Sequence, residues 1–404
     1  MGAVGIKHKI YVGEDASIQS TFATTINNID MHTELLGNDD RLLPKNIVRN
    51  TYLNFIALSD FQKRFGRIHT NRTGIRWTGL RYDLTFADAA GHIGDLVEIA
   101  DESGFSSLVN IYSESMLTLG NKVKMNIGIT GQWFTLNDRY TIEPRLSVKW
   151  KFAPRQSLSF AYGMHSRLEM LNYYFTKDEN SRMINKDLDF TKAHHVSLGY
   201  DLSPGENLHL RIEPYFQWLY DVPVIPGSTF AMLNLQGNED WFISDQLINA
   251  GNAINYGIDI TFEKYMSRGF YYMATASLYD SKYRTSDKGT WYDSRYNRHF
   301  AVNLLTGKEW MLGKNKQNML GASGKVTVQG GDRYSPIDAE KSLLKNSPKL
   351  PAKKRQTPSI LQTSATSRQS LRQSVKKDSP SPQIQTRQMT VKLLTVNFSD
   401  NLNT

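Results

Sequence analysis

The chain contains no cysteine, so neither a disulfide framework nor a thiolate metal site is open to it. It has no run of about 18 apolar residues, which excludes a transmembrane helix. That absence does not exclude a membrane barrel, because half of each barrel strand faces water. Met1 to Ile10 carry only a brief apolar run and no cleavage pattern, so no secretory signal is expected there. Residues 345–404 lack glycine altogether and hold one aromatic, Phe398, whereas all 28 glycines lie earlier.

Those 60 residues also hold the charge surplus. Eleven of the 48 Lys and Arg and two of the 39 Asp and Glu fall within them, which leaves 37 of each sign in 1–344. The body is therefore neutral, and the net charge of +9 belongs to the tail rather than to a nucleic-acid surface. Ser, Lys, Gln, Thr and Pro without a period cannot bury enough apolar surface to offset ordering, so 345–404 is expected to be disordered. A basic tail that binds nucleic acid or anionic lipid is the second reading, and a shifted reading frame after Leu344 is the third.

What is present before Leu344 is alternation. From Arg139 to Phe152, Tyr140, Ile142, Leu146, Val148, Trp150 and Phe152 share one parity, while Arg139, Thr141, Glu143, Arg145, Ser147, Lys149 and Lys151 share the other. Successive side chains of a strand face opposite sides, so this segment has one oily and one charged face. Val123 to Trp133, Leu208 to Tyr220 and Tyr256 to Glu263 repeat the pattern. Such strands fit a wall between lipid and a watery lumen. The expected fold is an all-β, antiparallel transmembrane β-barrel over 1–344, with about fourteen strands.

Turn residues divide the strands. Short connections are expected at Gly13–Asp15, Phe65–Gly66, Gly120–Asn121, Ala153–Pro154, Ser203–Glu206, Ser267–Gly269 and Leu312–Asn315. Long ones are expected at 34–46, 87–104, 166–190, 221–252 and 281–297, with a brief one at 136–139. Short turns alternating with long loops are the habit of outer-membrane barrels.

No catalytic residue, cofactor or metal-ligand set is expected. Gly324-Lys325-Val326-Thr327 has the wrong spacing for a phosphate loop and lies in a strand pattern. His194 and His195 must point to opposite faces, and His165, His209 and His299 are scattered singly. Glu98, Asp101 and Glu102, with Asp88 and Asp95, lack calcium-loop spacing and read as solvated carboxylates or a loose cation site. Ligand contact is instead sought on the loops, at Tyr173, Tyr174, Phe175, Trp241, Phe242, Trp291 and Tyr292. Exposed, these rings would stack on sugars or flat chelates; otherwise they would pack together and cap the barrel.

The runs Asn255–Asp259, Ser277–Tyr283, Tyr296–Trp310 and Gly330–Asp338 together resemble late barrel strands of TonB-dependent outer-membrane receptors, in a Bacteroidetes-like style. The resemblance covers roughly 1–340. It implies a Gram-negative outer membrane and a 22-stranded barrel of which about fourteen strands are here. It also implies import of a scarce nutrient (an iron chelate, cobalamin or a glycan) powered by the TonB complex through a plug absent from this chain. A surface lipoprotein partner would also fit, and neither enzyme activity nor nucleic-acid binding is implied. The chain is thus expected to begin inside a longer protein and to lack the closing strands. A self-contained porin-like barrel and a soluble all-β glycan-binding protein are the alternatives.

Overall fold

A computed structural model describes residues 1–36, 40–89, 95–235, 243–316, 318–331 and 333–334, together with the backbone of 357–358 and 362–373. Twelve antiparallel strands follow one another as neighbours: β1 (Gly2–Val12), β2 (Ala16–Leu36), β3 (Leu42–Phe65), β4 (His69–Asp88), β5 (Val97–Leu119), β6 (Val123–Phe134), β7 (Arg139–Ala153), β8 (Gln156–Arg167), β9 (Thr191–Gly205), β10 (Leu208–Val224), β11 (Ile248–Ser267) and β12 (Phe270–Arg284). The short β13 (Tyr292–Asp293) pairs with β12, and the order continues through β14 (Phe300–Leu312) and β15 (Asn318–Gln329). Small strands β16 (Arg333–Tyr334) and β17 (Thr357–Pro358) pair with each other. Leaving out β13, fourteen strands of the main sheet precede Leu344, as the alternation predicts. The sheet does not close on itself among the described residues, because β1 has a neighbour on one side only.

Every expected short turn joins strands at one end of the sheet, and every expected loop joins them at the other. Gly120 and Gly269 show why glycine stands at such turns. Both have positive φ, 63° and 71°, which a side chain disfavours. All five long loops are shorter than expected, two of them by more than half. Strands β2 and β3 run on to leave 37–41 between them, and β5 begins at Val97, inside the expected 87–104 loop. The reason is strand length. At 24 residues β3 extends roughly 80 Å along its axis, more than twice what crossing a bilayer requires, so paired backbone continues above the membrane.

The parity holds in three dimensions. Trp150 is 49% exposed and lies on the outer surface with Tyr140, Ile142, Ile129, Trp133, Phe216 and Trp218. Glu143, Arg145, Ser147, Gln132, Glu213 and Gln217 face the concave side. This arrangement excludes the soluble sandwich, whose oily face would be internal.

The tail differs from expectation in one segment. Residues Gln362–Gln373 form β18, antiparallel to β15 from Asn318↔Gln373 to Gln329↔Gln362. The free edge of β15 is a ready template of N–H and C=O groups, which a Thr- and Ser-rich segment can match without a hydrophobic face.

Candidate functional site

The concave side encloses a cavity of about 1290 Å³. Its polarity follows from strand parity: on each wall strand every second residue enters it. What parity does not show is height, and height is set by register. Arg145 stands opposite Gly163, Gly163 opposite His195, His195 opposite Gln217, Gln217 opposite Asn255 and Asn255 opposite Ser281. Inward residues of β7 to β12 therefore form one level around the lumen.

Hydrogen bonds join inward side chains on that level, and on the loop side of it, into a belt of two arcs. On one side Asn110 Nδ2 donates to Gln132 Oε1 at 2.6 Å, and Gln132 Nε2 donates to Glu143 Oε1 and to Ser166 Oγ at 2.9 Å. Glu143 is buried, at 1% exposure. It also accepts from the Ser166 backbone N–H at 3.0 Å, from Ser166 Oγ at 2.5 Å and from Arg145 Nη2 at 2.7 Å. A buried carboxylate is tolerable only with such partners. On the other side Asn255 Nδ2 donates to Gln217 Oε1 at 3.1 Å, and Ser281 Oγ donates to Asn255 Oδ1 at 2.6 Å while meeting Ser294 Oγ at 2.7 Å. Between the two arcs stand His165 and His195, with ring centroids 4.8 Å apart.

Nearer the short turns the wall is ionic. Asp201 accepts from Lys149 Nζ at 3.0 Å and Ser157 Oγ at 3.2 Å, and it contacts His209 Nε2 at 3.2 Å and Arg211 Nη1 at 3.4 Å. At the opposite end the loops 168–190 and 225–247 are laced together. Thr176 Oγ1 donates to the Ile243 carbonyl at 3.0 Å, and Asn185 Oδ1 accepts from the Leu247 N–H at 2.8 Å. They form an apolar cap containing Phe134, Tyr173, Tyr174, Leu188, Phe190, Met232, Ile243 and Leu247.

That cap accounts for three of the expected ligand contacts. Tyr173 and Tyr174 lie in it, and Phe175 packs on Tyr82 in the adjoining cluster. All three are buried, so they build the loop core rather than an open stacking surface. Burial, and then Glu169, push the Tyr174 hydroxyl pKa above its ordinary value. Trp291 is 38% exposed, with the Arg284 guanidinium 4.9 Å from its ring. Tyr292 packs against Tyr283. Trp241 and Phe242 lie outside the described residues. The acidic residues near 98–102 are not merely solvated: Lys177 Nζ lies 3.0 Å from Glu102 and 3.6 Å from Glu98. Burial opposes the Lys177 charge, but Glu102 and Glu98 outweigh it and raise its pKa.

Sequence alone shows each lumen residue only as a polar residue of the correct parity, not as part of a site. His165 in particular is no solitary histidine: β8 and β9 bring it beside His195.

The pattern of a family matches this arrangement over residues 7–360, described as "TonB dependent receptor-like, beta-barrel". The chain belongs to the TonB-dependent receptors. Its match runs sixteen residues beyond Leu344, past the expected limit of the barrel portion. A search of curated protein sequences finds no match. Among solved structures it is similar to the siderophore receptor PiuA from Acinetobacter baumannii, at TM-score 0.62 and 13% identity, over 93% of this chain and 58% of that one. It is also similar to the ferric yersiniabactin uptake receptor FyuA from Yersinia pestis (TM-score 0.60, 11% identity, 91% and 53% covered). The pyoverdine outer membrane receptor FpvA from Pseudomonas aeruginosa PAO1 matches with TM-score 0.63 and 9% identity, covering 93% and 55%. The chain spans about half the length of these structures, and likeness at such identities concerns the fold. TonB-dependent receptors are outer-membrane transport proteins, which agrees with strands that present apolar side chains outward.

Proposed function

We propose that this chain forms the wall and outer mouth of an outer-membrane importer for a siderophore-type iron chelate. The observation that carries the reading is the lumen: a cavity of about 1290 Å³, girdled by hydrogen-bonding side chains and capped at one end by interlaced loops. A hydrophilic chelate larger than a typical drug-sized ligand needs such a volume and many donors and acceptors. Trp291, open at the mouth beside Arg284, is a proposed first contact through stacking and charge. Several similar structures are siderophore or ferric-chelate receptors, which supports this class over cobalamin or a glycan. Energy would come from the TonB complex through a plug segment that lies outside this chain.

The test is titration of the chain, refolded in detergent micelles, with ferric catecholate and ferric hydroxamate chelates, read by tryptophan fluorescence. Saturable quenching that weakens in Trp291→Ala is the expected result. Quenching by cobalamin or oligosaccharide, with none by the chelates, would replace the substrate class.

A further inference from the structure

The belt around the lumen is hydrogen-bonded on both flanks, and the two flanks are separated by a pair of imidazoles. His165 on β8 and His195 on β9 both enter the cavity. No side chain among the described residues hydrogen-bonds either ring, although their neighbours Ser166 and Gln217 are both bonded. We propose that His165 and His195 form a binding site for a late first-row divalent cation, Cu(II) by preference and Zn(II) less tightly. The proposal does not depend on which chelate is imported.

The geometry fits the chemistry. A metal bound to an imidazole nitrogen lies about 2 Å from it, which places each ring centroid roughly 3 Å from the metal. Two rings at a tetrahedral or cis square-planar angle are then roughly 4.5–5 Å apart. The observed separation is 4.8 Å, with ring planes 52° apart. The backbone is cut to admit this pose. Gly163 stands opposite His195, and a Cβ there would lie 2.7 Å from His165 Nε2. Only a residue without a side chain lets the His165 ring lie over the strand towards its partner. The charged groups facing His165 are Arg145 and Glu143, and these are paired at 2.7 Å, which mutes repulsion of an incoming cation. The remaining coordination positions open into the lumen, where water or a solute donor completes the shell. His194, one residue away, lies on the other face, stacked with Tyr162, Trp218 and Tyr220. It is therefore an internal control.

The experiment adds Cu(II) alone to the full chain refolded in micelles and follows electron paramagnetic resonance and isothermal titration. One ion per chain, bound through two nitrogen ligands, is expected. His165→Gln and His195→Gln should each weaken binding by roughly tenfold or more, and Zn(II) should bind less tightly than Cu(II). Gly163→Ala should weaken it as well, although both imidazoles remain. A second measurement needs no variant: in the unaltered protein, Cu(II) should protect His165 and His195, but not His194, from acylation by diethyl pyrocarbonate. Equal modification of all three histidines with and without Cu(II), or an equal loss of affinity in His194→Gln, would overturn the site.

Discussion

Ser166 grips Glu143 twice, with its backbone N–H at 3.0 Å and its hydroxyl at 2.5 Å, across the inner surface of β7 and β8. The carboxylate also serves Gln132 and Arg145, so its removal would take an acceptor from three donor residues, of which Gln132 would keep only Ser166 Oγ. Glu143→Ala should therefore cost about 3 kcal/mol of stability, in the range for a broken buried polar network. Glu143→Gln, which keeps the shape, should cost less. Urea unfolding of the refolded protein in micelles measures both, and an alanine variant as stable as the parent would show that the network contributes nothing.

Ile129 and Thr130 are chain neighbours with opposite surroundings. Ile129 is half-exposed on the outer surface, and Thr130 lines the cavity. Ile129→Arg should lose about 2–4 kcal/mol in a bilayer near its midplane, whereas Thr130→Ala should change stability little. Folding titrations into lipid vesicles test the pair, and the reverse ranking would invert the assignment of inside and outside.

Gly269 combines a φ of 71° with a position where a Cβ would strike the Glu309 carbonyl on β14. Gly269→Ala should destabilise the β11–β12 turn by about 1–3 kcal/mol. Gly120 shares the positive φ but has no atom near the same point, so Gly120→Ala should be milder. Thermal unfolding midpoints of the two variants should follow that order.

Asp178 closes the tip of the 168–190 loop. It accepts from the N–H groups of Asn180 and Arg182, each at 2.9 Å, and from the Arg182 guanidinium at 2.7 Å. The Arg182 backbone N–H first, and then its side chain, hold the carboxyl below its ordinary pKa. A lowered folded-state pKa means that the contact is fully stabilising above about pH 4 and is lost as pH falls through the lower, folded value. Amide hydrogen exchange at Asn180 and Arg182, corrected for intrinsic rates, should show protection near neutrality that declines in acid. Asp178→Asn should remove that pH dependence.

Much of the wall was legible in the sequence, and for one physical reason. Lipid on one side and water on the other impose period two on each strand, so alternation alone assigns Tyr140, Ile142 and Trp150 to their side. Turns were legible too, since Gly13, Gly120 and Gly269 answer a local backbone demand. Height was not. Asn110, Gln132, Glu143, His165 and His195 come together through pairing offsets between strands, and alternation within a single strand carries no information about offset. For the same reason His165 read as solitary. The cap was hidden for another reason: Thr176 meets Ile243, and Asn185 meets Leu247, over some sixty residues of chain. A run such as Tyr173-Tyr174-Phe175 cannot say whether its rings bind a guest or one another. Lys177 was likewise invisible as the partner of Glu98 and Glu102, because a long loop folds back to deliver it.

Strands β2 to β5 hold 20 to 24 residues each, where about ten suffice to cross hydrocarbon. On the loop side that surplus raises a stiff, hydrogen-bonded parapet above the lipid headgroups, with the apolar cap braced against its inner face. A solute approaching from outside therefore meets the hydrogen-bonded strand backbone of this rampart well before it reaches the membrane surface.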